Sequence, residues 1–238
     1  MRCGSFSPDP ADSNPRPEDD LARRKLDPDR QALHGVWDEP ALSAEISGQR
    51  PADAITYGAW LDQGRARTGP LQSWGAVLVL ALLAGPWAVL GAFYGSGRTA
   101  FSIVAIVVVA PVVEETMKIA LASVTLEKRP FLFTSPVQIL ICGLAGGLVF
   151  GIVENLLYLN VYISDPGSGI VAWRWSVCTA LHAGCSLIAS IGLVRIWKSI
   201  LTTRKPAKFA LGFRYLLTAV IIHGVYNGLA VIFSYRGF

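Results

Sequence analysis

Residues 111–120 read PVVEETMKIA and set Glu114, Glu115 and Lys118 between the apolar stretches FSIVAIVVVA and LASVTL. Further polar residues recur in equally apolar surroundings: Glu154 and Asn155 in FGIVENLLY, His182 in ALHAG, His223 and Asn227 in HGVYN. Carboxylates and imidazoles of this kind suit water-activated hydrolysis. A carboxylate stripped of water is a competent general base near neutral pH, and His and Asn donors can hold the oxyanion of a tetrahedral intermediate. Other hydrolytic chemistries are disfavoured. Asp165 is the sole aspartate after residue 73, which excludes a two-aspartate intramembrane protease, and no HExxH motif occurs. Ser186 lies one helical turn from His182 on the same helix, a poor arrangement for a serine nucleophile.

Each of these residues alone has a plain structural reading. Glu114 and Lys118, four apart, suit a neutralised pair that eases insertion. Glu154 suits a protonated carboxyl bonded to a neighbouring helix, and a lone intramembrane histidine suits an interhelical hydrogen bond. Those readings do not account for so many polar groups converging on one layer.

The elements that must position them are membrane spans. The chain is 52% hydrophobic and only 16% charged, too apolar for an ordinary soluble domain. Charge-free runs such as Trp74–Gly95 and Phe131–Val153 reach the roughly 20 residues a span requires. The expected fold is an all-α polytopic bundle with five spans, at about 74–95, 101–126, 136–163, 170–197 and 211–234. Lys and Arg crowd the flanks around 65–67, 128–129 and 195–214, against Arg98, Arg174 and Arg236 on the other side. This predicts a cytoplasmic N-terminus and a multi-pass protein of the cell membrane. Counted from the outer ends at about 1.5 Å per residue, Glu114 lies roughly 20 Å deep, Glu154, His182 and His223 roughly 14–16 Å, and Asn227 roughly 10 Å. Each charged side chain at such depth costs about 2.5–3.5 kcal/mol on insertion scales, so these residues are expected to face the bundle interior.

Helical spacing refines the picture. Phe150, Glu154 and Tyr158 share one stripe, His182, Ser186 and Ser190 another, and His223 shares a face with Asn227. Glu114 and Glu115 project about 100° apart, so one should face the site while the other meets Lys118 or backbone. Pro111 lacks an N–H and is expected to free a carbonyl and kink its helix nearby. Gly143, Gly147 and Gly151 form a stripe for close helix approach that continues to Asn155, and Gly224 and Gly228 do the same in the last span.

Residues 1–73 differ in kind, with 12 acidic and 9 basic residues and many prolines. They are expected to form a largely disordered cytoplasmic tail with a short helix near 52–61, leaving 74–238 as the catalytic domain. No signal peptide is apparent, so the first span is expected to act as the targeting signal. Cys3, Cys142, Cys178 and Cys185 show no metal or disulfide spacing.

The motifs PVVEETMK, FGIVENLLY, ALHAG and HGVYN follow one another over roughly residues 101–230. In this the chain resembles the PrsW family of intramembrane peptidases, within the wider group of CAAX-processing and bacteriocin-processing proteases. The resemblance implies a glutamate-dependent peptidase in which Glu114 activates water and Glu115 supports it with Lys118. It implies an oxyanion site made by His223 and Asn227. Where the CAAX-processing group has FxxxH, Phe150 is here followed by Glu154, so Glu154 and His182 both stand for the missing histidine's role, beside Asn155. No cofactor is required, although two His and a Glu also suit zinc. The implied substrate is a membrane-anchored, single-pass protein such as an anti-sigma-factor-like regulator, met in the bilayer, and no nucleic-acid partner is expected. A proton- or ion-coupled transporter would use similar residues, but no internal repeat is present. A non-catalytic scaffold on the same fold is the other alternative.

Overall fold

The structure is a computed structural model that describes residues 55–96 and 103–235. The chain divides into two units, Met1–Thr56 and Tyr57–Phe238, and the second is described here. The tail expected to be disordered lies, up to residue 54, outside the described residues, as do Arg98, Arg236 and the first two residues of the second predicted span.

Among the described residues the chain is helical and contains no strand. Helix α1 is Tyr57–Arg67, later than the short helix expected near 52–61. It is followed by α2, Pro70–Ser96. A π-helical turn, Ala105–Val109, leads into α3, Ala110–Lys128. After a 3-10 turn, Pro130–Leu132, comes α4, Pro136–Leu157, ending in a second π-helical turn, Tyr158–Tyr162. A short α5, Ser168–Trp173, passes through a third, Arg174–Cys178, into α6, Thr179–Thr203. Helix α7 is Ala210–Tyr235. Residues 57–73, assigned to the tail from the sequence, are thus largely helical, in α1 and the first turn of α2.

Four segments are long and apolar enough to cross a membrane: Pro70–Ala92, Pro136–Tyr162, Ser168–Thr203 and Ala210–Phe233. Five were expected. The second predicted span, around α3, is helical but carries Glu114, Glu115, Lys118, Glu127 and Lys128, too much charge to qualify by composition. It enters the bundle by another route, because α2, α4, α6 and α7 all pack against α3. The protein is therefore a multi-pass membrane bundle whose four apolar spans all pack against the charged helix α3.

Burial is inverted relative to a water-soluble core. Leu78, Leu82 and Leu90 of α2 and Ile221, Val225 and Leu229 of α7 are exposed, while Glu115, Lys118, Gln138, Asn155, His182 and His223 are buried. Hydrocarbon accepts the first set readily and excludes the second.

Close approach of α4 to α6 follows the predicted glycine stripe. A Cβ on Gly143 would collide with Ser190 Oγ, and one on Gly147 would come within 2.5 Å of the His182 carbonyl oxygen and 2.9 Å of Ala183 Cα. Backbone atoms cannot yield as a flexible side chain can. At one end of the bundle, α1 packs on the 130–132 turn through Trp60 stacked edge-on against Phe131, with Leu61 buried, and reaches the end of α6 through an Asp62–Arg204 ion pair.

Gly147→Ala is expected to force α4 from α6 and to destabilise the protein by about 1–3 kcal/mol, the usual range for overpacking. Gly184→Ala on α6, where an added Cβ meets nothing within 4 Å, should be neutral or stabilising by up to about 1 kcal/mol. Thermal unfolding of both variants in detergent checks the contrast.

Candidate active site

The polar side chains of α3, α4, α6 and α7 meet in one cluster centred on Lys118, which is 1% exposed. Its ammonium donates to Glu115 Oε1 at 2.7 Å and to His182 Nδ1 at 2.9 Å. It lies 3.9 Å from Glu114 Oε2 and 4.2 Å from the centre of the Phe150 ring. Lys118 thus pairs more closely with Glu115, three residues back, than with Glu114, four back. This is the division of labour that the 100° between the two carboxylates required.

These contacts assign the imidazole protons. An ammonium can only donate, so His182 Nδ1 accepts and the ring proton resides on Nε2. That N–H donates to Glu154 Oε2 at 2.9 Å. His223 Nδ1 lies 2.8 Å from Glu115 Oε1, a carboxylate oxygen that accepts, so Nδ1 carries the proton. His223 Nε2 then faces Glu114 Oε2 at 3.7 Å. The two rings meet edge to face with centroids 4.9 Å apart, and Phe150 stacks edge-on against His182 at 5.0 Å.

Glu114 stands apart. Its Oε2 is buried without a hydrogen bond, its nearest charged or ring neighbours being at 3.7 and 3.9 Å. A buried acceptor left unpaired costs about 1–3 kcal/mol, more when charged, and in native structures calls for an explanation such as catalysis. Glu115 Oε2, Asn155 Oδ1, Arg174 Nε and Ser186 Oγ are also unpaired, the last close to Gly147 on the α4 side of α6. Glu115 Oε1 and Glu154 Oε2, however, each accept from two side chains, and Glu114 accepts from none.

A second layer holds the first. Glu154 Oε2 also accepts from Arg174 at 3.0 Å, and the Arg174 guanidinium lies 3.7 Å from the centre of the Tyr158 ring. Asn155, next on the glycine stripe, donates to the Arg174 carbonyl at 2.9 Å and to Thr179 Oγ1 at 3.0 Å, tying α4 to the start of α6. Sequence reasoning counted Arg174 only as a flanking charge; it becomes a partner of the cluster because the 174–178 π-helical turn lies immediately before α6.

Asn227 is placed differently from the expected oxyanion site. Its Nδ2 donates to the Ile106 carbonyl at 3.0 Å. In the i→i+5 pattern of the 105–109 turn, that carbonyl would bond the N–H of residue 111, which is proline and has none. Asn227 supplies the missing donor. One turn earlier on α7, Gly224 lies so close to the Val107 carbonyl that a Cβ could not fit. The freed carbonyl predicted from Pro111 therefore exists, and α7 satisfies it.

Glu114, His182 and His223 each offer an atom within 4.8 Å of the other two, a donor set of the kind zinc accepts. Both imidazoles are backed by carboxylates, as metal-binding histidines usually are. Yet both ring nitrogens of His182 are engaged, one by Lys118 and one by Glu154. As arranged, the donor set is right in kind but does not fit an ion, because a lysine ammonium already holds His182.

A family model described as PrsW family intramembrane metalloprotease matches residues 71–237. Comparison with curated proteins and with solved structures returned no match.

Asn227→Ala should leave the Ile106 carbonyl unpaired and cost about 1–3 kcal/mol. Pro111→Ala restores a backbone N–H, so the cost of Asn227→Ala should shrink in that background by on the order of 1 kcal/mol. A double-mutant cycle by chemical unfolding in detergent measures the coupling, and strict additivity would contradict this assignment.

Proposed function

Because the chain belongs to the PrsW family of intramembrane proteases, we propose that it cleaves membrane-anchored protein substrates with a water molecule activated by Glu114. The observation that carries this reading is the buried Glu114 carboxylate, whose Oε2 has no hydrogen bond and which, unlike Glu115 and Glu154, accepts none from the other side chains of the cluster. Glu114 takes a proton from water as the water oxygen attacks the peptide carbonyl. The tetrahedral intermediate then collapses, the C–N bond breaks, and the proton passes to the departing nitrogen.

His223 Nε2 takes on from Glu114 the proton removed from water, and the N–H so formed donates to the negatively charged carbonyl oxygen before that proton goes to the departing nitrogen. Glu115 fixes its Nδ1–H and stabilises the imidazolium that forms when Nε2 takes up a proton, as the carboxylate of a catalytic triad does. Lys118 adds positive potential behind both carboxylates. His182 takes the role of the missing motif histidine, and Glu154 positions it from α4 while Arg174 balances Glu154. Asn227 fastens α7 to the broken helix before α3 and so holds His223 in place; on this reading it is a positioning residue and not an oxyanion donor. The description of the family as metalloproteases invites zinc at Glu114, His182 and His223, but with Lys118 bonded to His182 no step requires a metal.

The proposed substrates are single-pass proteins, anti-sigma-factor-like regulators among them, since the catalytic groups lie within the bundle and water-soluble chains have no route to that depth. The N-terminus is proposed to be cytoplasmic, with residues 1–56 a regulatory or recruiting segment ahead of a catalytic domain that begins with α1.

Glu114→Gln keeps the side-chain shape and removes the base, and is expected to lower cleavage by roughly 10²–10⁴-fold. Terminal proteomics of host membranes, wild type against this variant at matched expression, should reveal a new terminus within or beside a single span. That terminus should vanish in the variant and persist with a chelator. Identical termini in both strains under induced stress would defeat the protease reading, and loss with chelator would defeat its metal-free form.

A further inference from the structure

We infer that Lys118 is the resident cation of this site, its ammonium taking the position that a divalent metal ion would need and thereby keeping metal out. Three features converge on this. First, Glu114, His182 and His223 lie within 4.8 Å of one another as a metal-binding set would. Second, His182 and His223 each direct one nitrogen to a carboxylate, Glu154 and Glu115, which is the outer support of a metal-bound imidazole. Third, the other nitrogen of His182 accepts from Lys118, whose ammonium is also 2.7 Å from Glu115 and 3.9 Å from Glu114. Of the three candidate ligands, the tethered ammonium thus bonds His182, lies near Glu114, and is linked to His223 through the Glu115 Oε1 that both share.

The chemistry favours the tether. Lys118 offers three donors and a single charge, and Glu115, His182 and the face of Phe150 meet it on separate sides. A divalent ion could enter only by breaking the bond to His182 and standing beside a buried positive charge. Removing that charge leaves two carboxylates and two imidazoles with no cation among them, an electrostatic deficit a divalent ion relieves. This inference concerns what the site holds and does not depend on whether peptides are cut.

The test is cobalt and zinc binding by the purified full-length chain in detergent. Co²⁺ is followed by its visible absorption and Zn²⁺ by calorimetry, in wild type, Lys118→Arg and Lys118→Met. Wild type and Lys118→Arg should show no stoichiometric site. Lys118→Met should bind one ion, roughly a hundredfold or more tighter than wild type, the order that a unit charge a few ångströms away contributes in a protein interior. Adding Glu114→Gln or His223→Ala to Lys118→Met should abolish the band. Should Lys118→Met not fold, Glu115→Gln with Lys118→Met removes the opposite charge as well and keeps all three ligands. Wild type that binds Co²⁺ as tightly as the methionine variant overturns the inference, and so does failure of the folded Lys118→Met chain, alone or with Glu115→Gln, to bind. Either result leaves the cleavage assay free to support or sink the protease reading on its own.

Discussion

A buried ammonium between two carboxylates and an imidazole is the interaction on which the rest of this structure depends. Lys118 in hydrocarbon without partners would cost several kcal/mol, and so would Glu114 and Glu115. The 2.7 Å pair with Glu115 and the 2.9 Å bond to His182 make the helix tolerable in a bilayer. They do so only if α6 and α7 bring their histidines to it and α2 and α4 keep lipid away. The four apolar helices therefore all pack against α3, and a charged helix is held inside a membrane protein. Breaking such a pair by removing one partner costs about 3–5 kcal/mol, so the site residues are also part of what fixes the helix arrangement.

Bringing these groups to one layer required departures from ideal helix. Three π-helical turns lie beside the cluster: 105–109 before Glu114, 158–162 after Glu154, and 174–178 before His182. Each inserts an extra residue per turn and re-aims the neighbouring side chains, a feature that recurs at functional sites. The first leaves a carbonyl unbonded because of Pro111, and Asn227 closes that gap. The third places the Arg174 carbonyl where Asn155 and Thr179 both donate to it. The widened turns are thus tied by side chains of the neighbouring helices, so that backbone irregularity and site geometry depend on the same contacts.

Much of this was legible in the sequence because membrane physics leaves few options. Charge-free runs locate α2, α4, α6 and α7 within a few residues, and the small-residue stripe 143–147–151 points to the α4–α6 contact. The convergence of Glu114, Glu154, His182 and His223 follows from depth counting, since each must find a polar neighbour. What was hidden is pairwise. Helical spacing alone cannot say that Lys118 prefers Glu115, that Glu154 backs His182 while Phe150 stacks on it, or that Asn227 turns to Ile106. The π-helical turns at 158–162 and 174–178 have no proline to announce them, so Arg174 read as a flank. The shortfall at α3 has the same origin, for a helix stabilised by its partners does not look like a span by composition.

Charge balance bears on the role proposed for Glu114. The cluster contains three carboxylates, Glu114, Glu115 and Glu154, against two fixed cations, Lys118 and Arg174. Glu115 has Lys118 and the His223 N–H; Glu154 has Arg174 and the His182 N–H. With both imidazoles neutral and all three carboxylates ionised, one negative charge is left over, and Glu114 is the carboxylate that accepts no hydrogen bond from the other side chains of the cluster. A site in this state is one proton short of neutrality. Proton transfer from water to Glu114, or onward to His223 Nε2 at 3.7 Å, removes the excess charge in a medium where excess charge is costly. The surroundings that pair Glu115 and Glu154 thus leave Glu114 as the carboxylate on which the proposed proton transfer relieves the excess charge.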